Sequence, residues 1–239
     1  MTAVTVLLCC YNDDDVLSGA IRSVLRQTLP NSEYEFLIVD DGSTDRTPDV
    51  IELFASSDLV RAVRNETNQG LVASVNRGIS LSGGEYIVRL DADDAFAPSA
   101  IERLLEVAQS TDAAFVYSDR YEVDRETGTV RYVDTGGDFD VFDLIAIGTL
   151  WRADVTRDID GFRGLFWEEY DFYIRYLDAC SGTTEHVSIP LCVYLQHGDS
   201  MTADVDRVRE GWAELLDRWG EETLKRYGTL PPDITTYES

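Results

Sequence analysis

Apolar positions in the first ninety residues fall into two alternating rhythms. Near-continuous apolar runs at residues 2–10, 35–39, 59–64 and 86–90 have the length of strands buried on both faces. Between them, Val16, Leu17, Ala20, Ile21, Val24 and Leu25 recur at helical spacing within residues 14–27, and residues 70–81 repeat the pattern. A further helix is predicted from Ser43 or Thr44 through about residue 55, with either hydroxyl as its cap, Asp45 in its first turn and Pro48 near its start. This alternation implies an α/β fold, a mostly parallel sheet with right-handed crossovers and helices on both faces. Residues 99–109 read as a helix, 113–117 as a strand, and 119–134 as a hairpin around Glu126-Thr127-Gly128-Thr129. The alternation then stops. A helix over 167–179, short strands at 185–189 and 192–196, and a helix from about 203 to 227 complete the pattern, with Pro231-Pro232 opening a loose tail.

In open sheets of this kind, ligands bind beyond the carboxyl ends of the strands. Three loops converge there: Tyr11-Asn12, Asp40-Asp41, and Asp91-Ala92-Asp93-Asp94. Carboxylates packed so closely repel one another unless a cation, a hydrogen-bonded ligand or water compensates, so the pattern predicts a metal–nucleotide site. The Asp91-x-Asp93 pair offers hard oxygen ligands suited to Mg²⁺ or Mn²⁺.

Composition narrows the classes. With 239 residues, 44% of them hydrophobic, the chain can bury the core of one large domain. No run approaches the roughly 20 apolar residues needed to span a bilayer, and Met1-Thr2-Ala3-Val4 enters a strand without a basic leader, which predicts a cytoplasmic chain. Cys9, Cys10, Cys180 and Cys192 form no metal-type spacing and read as buried reduced thiols. The net charge is −25, and Lys225 is the only lysine, every other basic residue being arginine. Self-repulsion of that size is screened at high salt, which predicts a halophilic source. No basic stripe exists to neutralise phosphates, so nucleic acid is excluded as a partner. A phosphohydrolase of the haloacid-dehalogenase kind would need a lysine downstream of its Asp-x-Asp loop, and the only one is in the terminal helix. A sugar-nucleotide pyrophosphorylase would need a Gly-rich basic loop after the first strand. A calcium-binding module would need a D-x-D-x-D-G string.

Taken together, a set of motifs resembles the glycosyltransferase family 2 enzymes, which have the GT-A (Rossmann-like) fold, use nucleotide sugars and usually invert. The motifs are Cys10-Tyr11-Asn12, Ser23-Val24-Leu25-Arg26-Gln27-Thr28, Val39-Asp40-Asp41-Gly42-Ser43-Thr44-Asp45, Asn68-Gln69-Gly70 with Asn76-Arg77-Gly78, Gly84-Glu85-Tyr86 before Leu90-Asp91-Ala92-Asp93-Asp94, and Trp167-Glu168-Glu169-Tyr170-Asp171 with Arg175. The likeness covers roughly residues 3–200. It implies one GT-A domain over 1–200, with a nucleotide-binding half to about 118 and an acceptor-side half over 119–200, followed by a terminal helix and tail over 201–239.

The resemblance also implies roles. The metal, Mn²⁺ or Mg²⁺, would bridge the two phosphates of a UDP-, GDP- or dTDP-linked sugar and offset charge on the departing diphosphate. Asp93 or Asp94 would ligate it directly, with Asp91 a further ligand and a neighbouring carboxylate accepting from ribose hydroxyls. His197 would be a third metal ligand or a phosphate contact. Asp41 would accept from the nucleobase and Tyr11 pack on base or ribose, beside Cys10 and Asn12; Asn68 and Gly70 would shape a loop by the donor. Glu169 occupies the position of the general base, where most relatives have Asp, with Glu168 and then Asp171 as the next candidates. Leu195 replaces an arginine common in the family. Trp151, Phe166 and Trp167 are candidates for stacking on acceptor sugars. The acceptor would be a hydroxyl on a glycan, lipid-linked saccharide or similar molecule, a lipid-linked one being met at the inner membrane face. The alternative is a degenerate GT-A fold that binds a nucleotide sugar or glycan without catalysis.

Overall fold

A computed structural model describes residues 2–197 and 204–231. Residues from Pro232 on, where the loose tail is expected, and residue 203, where the last helix was expected to begin, lie outside the described residues. The order is β1 (Val4–Cys10), α1 (Leu17–Leu25), β2 (Tyr34–Asp40), α2 (Thr47–Glu52), β3 (Val60–Arg64), α3 (Leu71–Leu81), β4 (Tyr86–Asp91), β5 (Ala95–Phe96), α4 (Ala100–Thr111), β6 (Phe115–Asp124), β7 (Val130–Val133), β8 (Thr149–Arg152), α5 (Ala153–Asp158), α6 (Glu168–Ala179), β9 (Thr184–Gln196), α7 (Val205–Trp219) and α8 (Glu221–Leu224).

One nine-stranded sheet runs β3-β2-β1-β4-β8-β6-β9-β5, with β7 paired to β6. The β3-β2-β1-β4 half is parallel throughout. Beyond β4 the sheet is mixed: β8 runs antiparallel to both β4 and β6, β9 parallel to β6, and β5 antiparallel to β9. The period-2 alternation of β1 divides its side chains between two cores. Val4, Val6 and Leu8 pack with α1 and α4, whereas Leu7 meets α3 on the opposite face, in the core that also takes in Trp151, α6 and α7. Gly78 lets α3 lie directly on β1, since a Cβ there would collide with Leu7.

Several elements differ from the pattern-based expectation. β8 and the two-residue β5 were not foreseen. The strands expected at 185–189 and 192–196 are one strand, β9, whose register against β6 slips around Pro190, a residue that cannot donate to the ladder. The single terminal helix is two, because Gly220 at φ +71° ends α7. Helix α2 starts only at Thr47, so Ser43 and Thr44 do not cap it.

Candidate active site

Register positions the site. Cys10 lies beside Asp40 and Cys9 beside Asp91, so the loops leaving β1, β2 and β4 share one sheet edge. Asn12 adopts a left-handed φ of +59°, which Asn tolerates better than most residues. From there its N–H donates to Ser43 Oγ at 3.0 Å and its Oδ1 accepts from Thr44 N at 2.8 Å. The Asp13 N–H donates to Thr47 Oγ1 at 2.8 Å. Ser43 and Thr44 therefore lace the first two loops together, while Asp45 Oδ1 receives the Thr47 N–H at the start of α2.

Asp41 is buried and holds the next loop. Its Oδ1 accepts from Asn65 Nδ2 at 2.6 Å and Gln69 N at 2.9 Å, and its Oδ2 from Gly70 N at 2.8 Å. Burial raises its pKa, but these hydrogen bonds outweigh it and hold the carboxyl below the usual range. Gly42, at φ +75°, sits so close beneath that a Cβ would come within 2.6 Å of the Thr67 carbonyl carbon.

The loop after β4 is the most charged part. Arg89, buried in β4, binds Asp91 Oδ1 through Nε at 2.8 Å and reaches Glu168 Oε1 at 3.4 Å. Asp93 Oδ2 lies 2.9 Å from His197 Nε2. Asp94 is 2% exposed; Oδ1 accepts from Leu195 N at 2.8 Å, whereas Oδ2 is buried and has no hydrogen-bond partner among the described residues. Burial first, then repulsion from Asp91 and Asp93, pushes the Asp94 carboxyl well above the carboxylate range. An orphaned oxygen among three carboxyl groups fits a divalent cation, which would satisfy that atom and cancel the repulsion.

Across the cavity, Glu168 and Glu169 open α6, where carboxylates are favoured by the helix dipole. Burial raises both, and in Glu169 burial and then Glu168 push the carboxyl up to about 8 against a partial counter-effect of Arg89.

Every candidate catalytic, donor-binding and metal residue except Asp171 lines one cavity of about 700 Å³, within the size range of small-molecule sites. Asp171 is fully buried elsewhere. Its Oδ2 accepts from Arg175 Nε at 2.7 Å, and its Oδ1 from Trp219 Nε1 at 3.1 Å and Arg218 Nη1 at 3.3 Å. It clamps α6 to α7 and is removed from the candidate bases. Trp151 is fully buried core and cannot meet an acceptor, while Trp167 lines the cavity and Phe166 an adjoining groove. Arg89, Asn65, Arg125 and Tyr194 escaped the sequence reading. Arg89 alone left a signal there, as a charge inside an apolar strand. All four cysteines are free, and burial pushes the Cys9 thiol up to about 12 and the Cys10 thiol higher, so neither is a nucleophile. Away from the cavity, Asp119, Asp134 and His186 bring ligand-type atoms within 4.8 Å of one another, a group that could hold an ion. Asp119 already accepts from Tyr132 OH at 2.6 Å and Thr135 N at 2.9 Å and meets His186 at 2.7 Å, fastening the β6–β7 hairpin to β9.

A strand-edge cavity floored by acidic loops on a curled, mixed sheet is the architecture of the GT-A glycosyltransferases. The chain belongs to glycosyl transferase family 2, whose model matches residues 5–173. It is 34% identical over 142 residues to glycosyltransferase GlyG of Streptococcus pneumoniae, covering 59% of this chain and 46% of that protein. It is 28% identical over 249 residues to an uncharacterized glycosyltransferase of Nostoc sp., covering 94% of this chain and 76% of that one. Among solved structures, residues 1–349 of S. aureus TarS in complex with UDP-GlcNAc superpose with a TM-score of 0.77 at 17% identity, over 95% of this chain and 71% of that one. Mannosyltransferase PcManGT from Pyrobaculum calidifontis, in complex with GDP-Man and Mn²⁺, gives 0.70 at 16% identity, over 98% and 67%. Among the described residues, no helix is long and apolar enough to cross a membrane.

Proposed function

We propose that this protein transfers a sugar from a nucleoside diphosphate to an acceptor hydroxyl, with inversion, in the presence of Mn²⁺ or Mg²⁺. The observation that carries the reading is the placement of Glu169. Its half-buried carboxyl faces the same cavity as the Asp91–Asp94 loop, and its proton affinity is raised into the range useful to a general base near neutral pH. The structural relatives' complexes with UDP-GlcNAc and with GDP-Man and Mn²⁺ favour a nucleotide-sugar donor of one of these kinds, a dTDP-linked sugar being a further candidate.

Asp93 and Asp94, with Asp91 and His197, would hold the metal, which when bound offsets the charge on the diphosphate leaving group. Asp41 fixes the 65–70 loop beside the nucleobase end, where Tyr11, Asn12, Cys10, Asn68 and Gly70 complete the wall. Glu169 accepts the proton of the acceptor hydroxyl as its oxygen attacks the anomeric carbon from the face opposite the diphosphate. The bond from anomeric carbon to phosphate oxygen breaks with its electron pair leaving on the diphosphate. Glu168, bridged to Arg89, keeps the second acidic group beside the base fixed. The acceptor, a glycan or a lipid-linked saccharide reached from the cytoplasmic membrane face, enters from the side of residues 119–197.

The test is release of UDP or GDP from a panel of sugar nucleotides with Mn²⁺, with and without EDTA. Wild type should turn over only with the metal, and Glu169→Gln should bind donor with Mn²⁺ yet not transfer. Equal transfer by Glu169→Gln would remove Glu169 from the base role.

A further inference from the structure

The cavity lining is electrostatically lopsided. Eight carboxyl-bearing residues face it, against two guanidinium groups among the described residues, those of Arg89 and Arg125. A diphosphate entering this field is repelled by the carboxylates, and one divalent cation offsets only part of the combined charge. Arg89 has no capacity to spare, being buried and shared between Asp91 and Glu168.

Arg125 is differently held. It follows β6 at the start of the hairpin, and its N–H donates to Gln196 O at 2.9 Å, fixing its backbone next to His197 and so to the Asp93 side of the cavity. Its side chain is half exposed and touches Asp15, from the loop after β1, at 3.3 Å. An exposed ion pair of this kind contributes little to stability, so exchanging Asp15 for a better anion costs little. A guanidinium is also the side chain best shaped to bind a phosphate through two parallel hydrogen bonds.

Building on the proposed donor site, we propose that Arg125 is a phosphate-binding residue: it leaves Asp15 and grips the diphosphate of the donor at the Asp93–His197 end of the cavity. The role follows from position, since the β6–β7 hairpin brings the guanidinium over the cavity at the end where Asp93 and His197 lie. Asp15 serves as its resting partner when no nucleotide is present.

Calorimetric binding of UDP and GDP, each with Mn²⁺, and of the matching nucleosides tests this on the full chain. Arg125→Gln should weaken diphosphate binding by about 10- to 100-fold, the loss expected for one charge-assisted contact, while nucleoside affinity is unchanged. Arg125→Lys, which keeps the charge but not the fork, should fall in between. Equal diphosphate affinity in wild type and Arg125→Gln overturns the proposal, as does an equal loss for nucleoside and diphosphate, which marks a structural role. If wild type binds no nucleotide at all with Mn²⁺, the donor-site reading itself falls.

Discussion

The chemistry of single residues here is set by what each carboxyl is buried against. Asp41 and Glu169 line the same cavity, yet hydrogen bonds from Asn65, Gln69 and Gly70 hold the first low, while burial and the neighbouring Glu168 raise the second to about 8. The charged groups that act on Glu169 are Glu168 on its own helix and Arg89 and Asp91 from β4. The base role proposed for Glu169 requires the ionised carboxyl, so kcat/KM should climb as pH rises through about 8, and Glu169→Gln should lose that limb along with transfer. The same shift has a consequence for stability with a definite sign. A carboxyl whose folded pKa lies above its unfolded value of 4.5 binds its proton more tightly in the native state, so stability is lost as pH climbs from 4.5 towards about 8. Glu169→Gln should therefore melt higher than wild type at about pH 8, the gap closing as pH approaches 4.5, as measured by thermal denaturation across that range. A variant that melts lower than wild type throughout would contradict the burial of an ionisable base.

Elements carry these residues to the cavity, and one clamp joins the last two large ones. Asp171 in α6 is bonded by Arg175, Arg218 and Trp219, and Arg175 also donates to Ile159 O and Gly161 O at 2.8 and 2.6 Å. Removing the acid leaves a buried guanidinium uncompensated, at a cost of about 3–5 kcal/mol. Asp171→Ala should lower the melting temperature accordingly, and Asp171→Asn should do so less; at a temperature where either is folded, donor affinity should match wild type. A loss of donor binding without loss of stability would return Asp171 to the site. The clamp also shows what periodicity could and could not reveal. Strands β1, β2 and β4 were legible because burial on both faces makes their apolar runs nearly continuous, and the acidic loops were legible because they directly follow such runs. β8 was not, since four residues, Thr149 to Arg152, are too few for a period, and its place between β4 and β6 depends on pairing partners far away in sequence. Asp171 and Arg175 stand four residues apart and pair within α6, but the removal of Asp171 from the base candidates depended on α7, a contact 47 residues distant. Likewise Ser43 and Thr44 have the chemistry of caps, and only the approach of Asn12 turns them into ties between loops.

At the scale of the whole molecule, the net charge of −25 acts on both folding and encounter with the donor. The buried pair of Arg89 with Glu168 is shielded from salt, whereas repulsion among exposed carboxylates is screened within about 10 Å at 0.1 M and about 3 Å at 1 M. Salt should therefore relieve the unfavourable part of the electrostatics and spare the favourable part. The melting temperature should rise from low to molar KCl, and one that is flat or falling would overturn the salt-adapted reading. Donor capture should follow the same rule. A nucleoside diphosphate sugar is an anion approaching an anionic protein, so its long-range steering is repulsive, while the proposed attraction to a metal and to Arg125 would operate at contact distance. With Mn²⁺ held at saturation, donor KM should then fall as KCl rises from about 10 mM to about 500 mM, the reverse of an enzyme that draws its anionic substrate in through a basic surface. Initial-rate kinetics across that series provide the check. A KM that rises steadily with salt would show that the local cations, and not the global charge, govern donor capture.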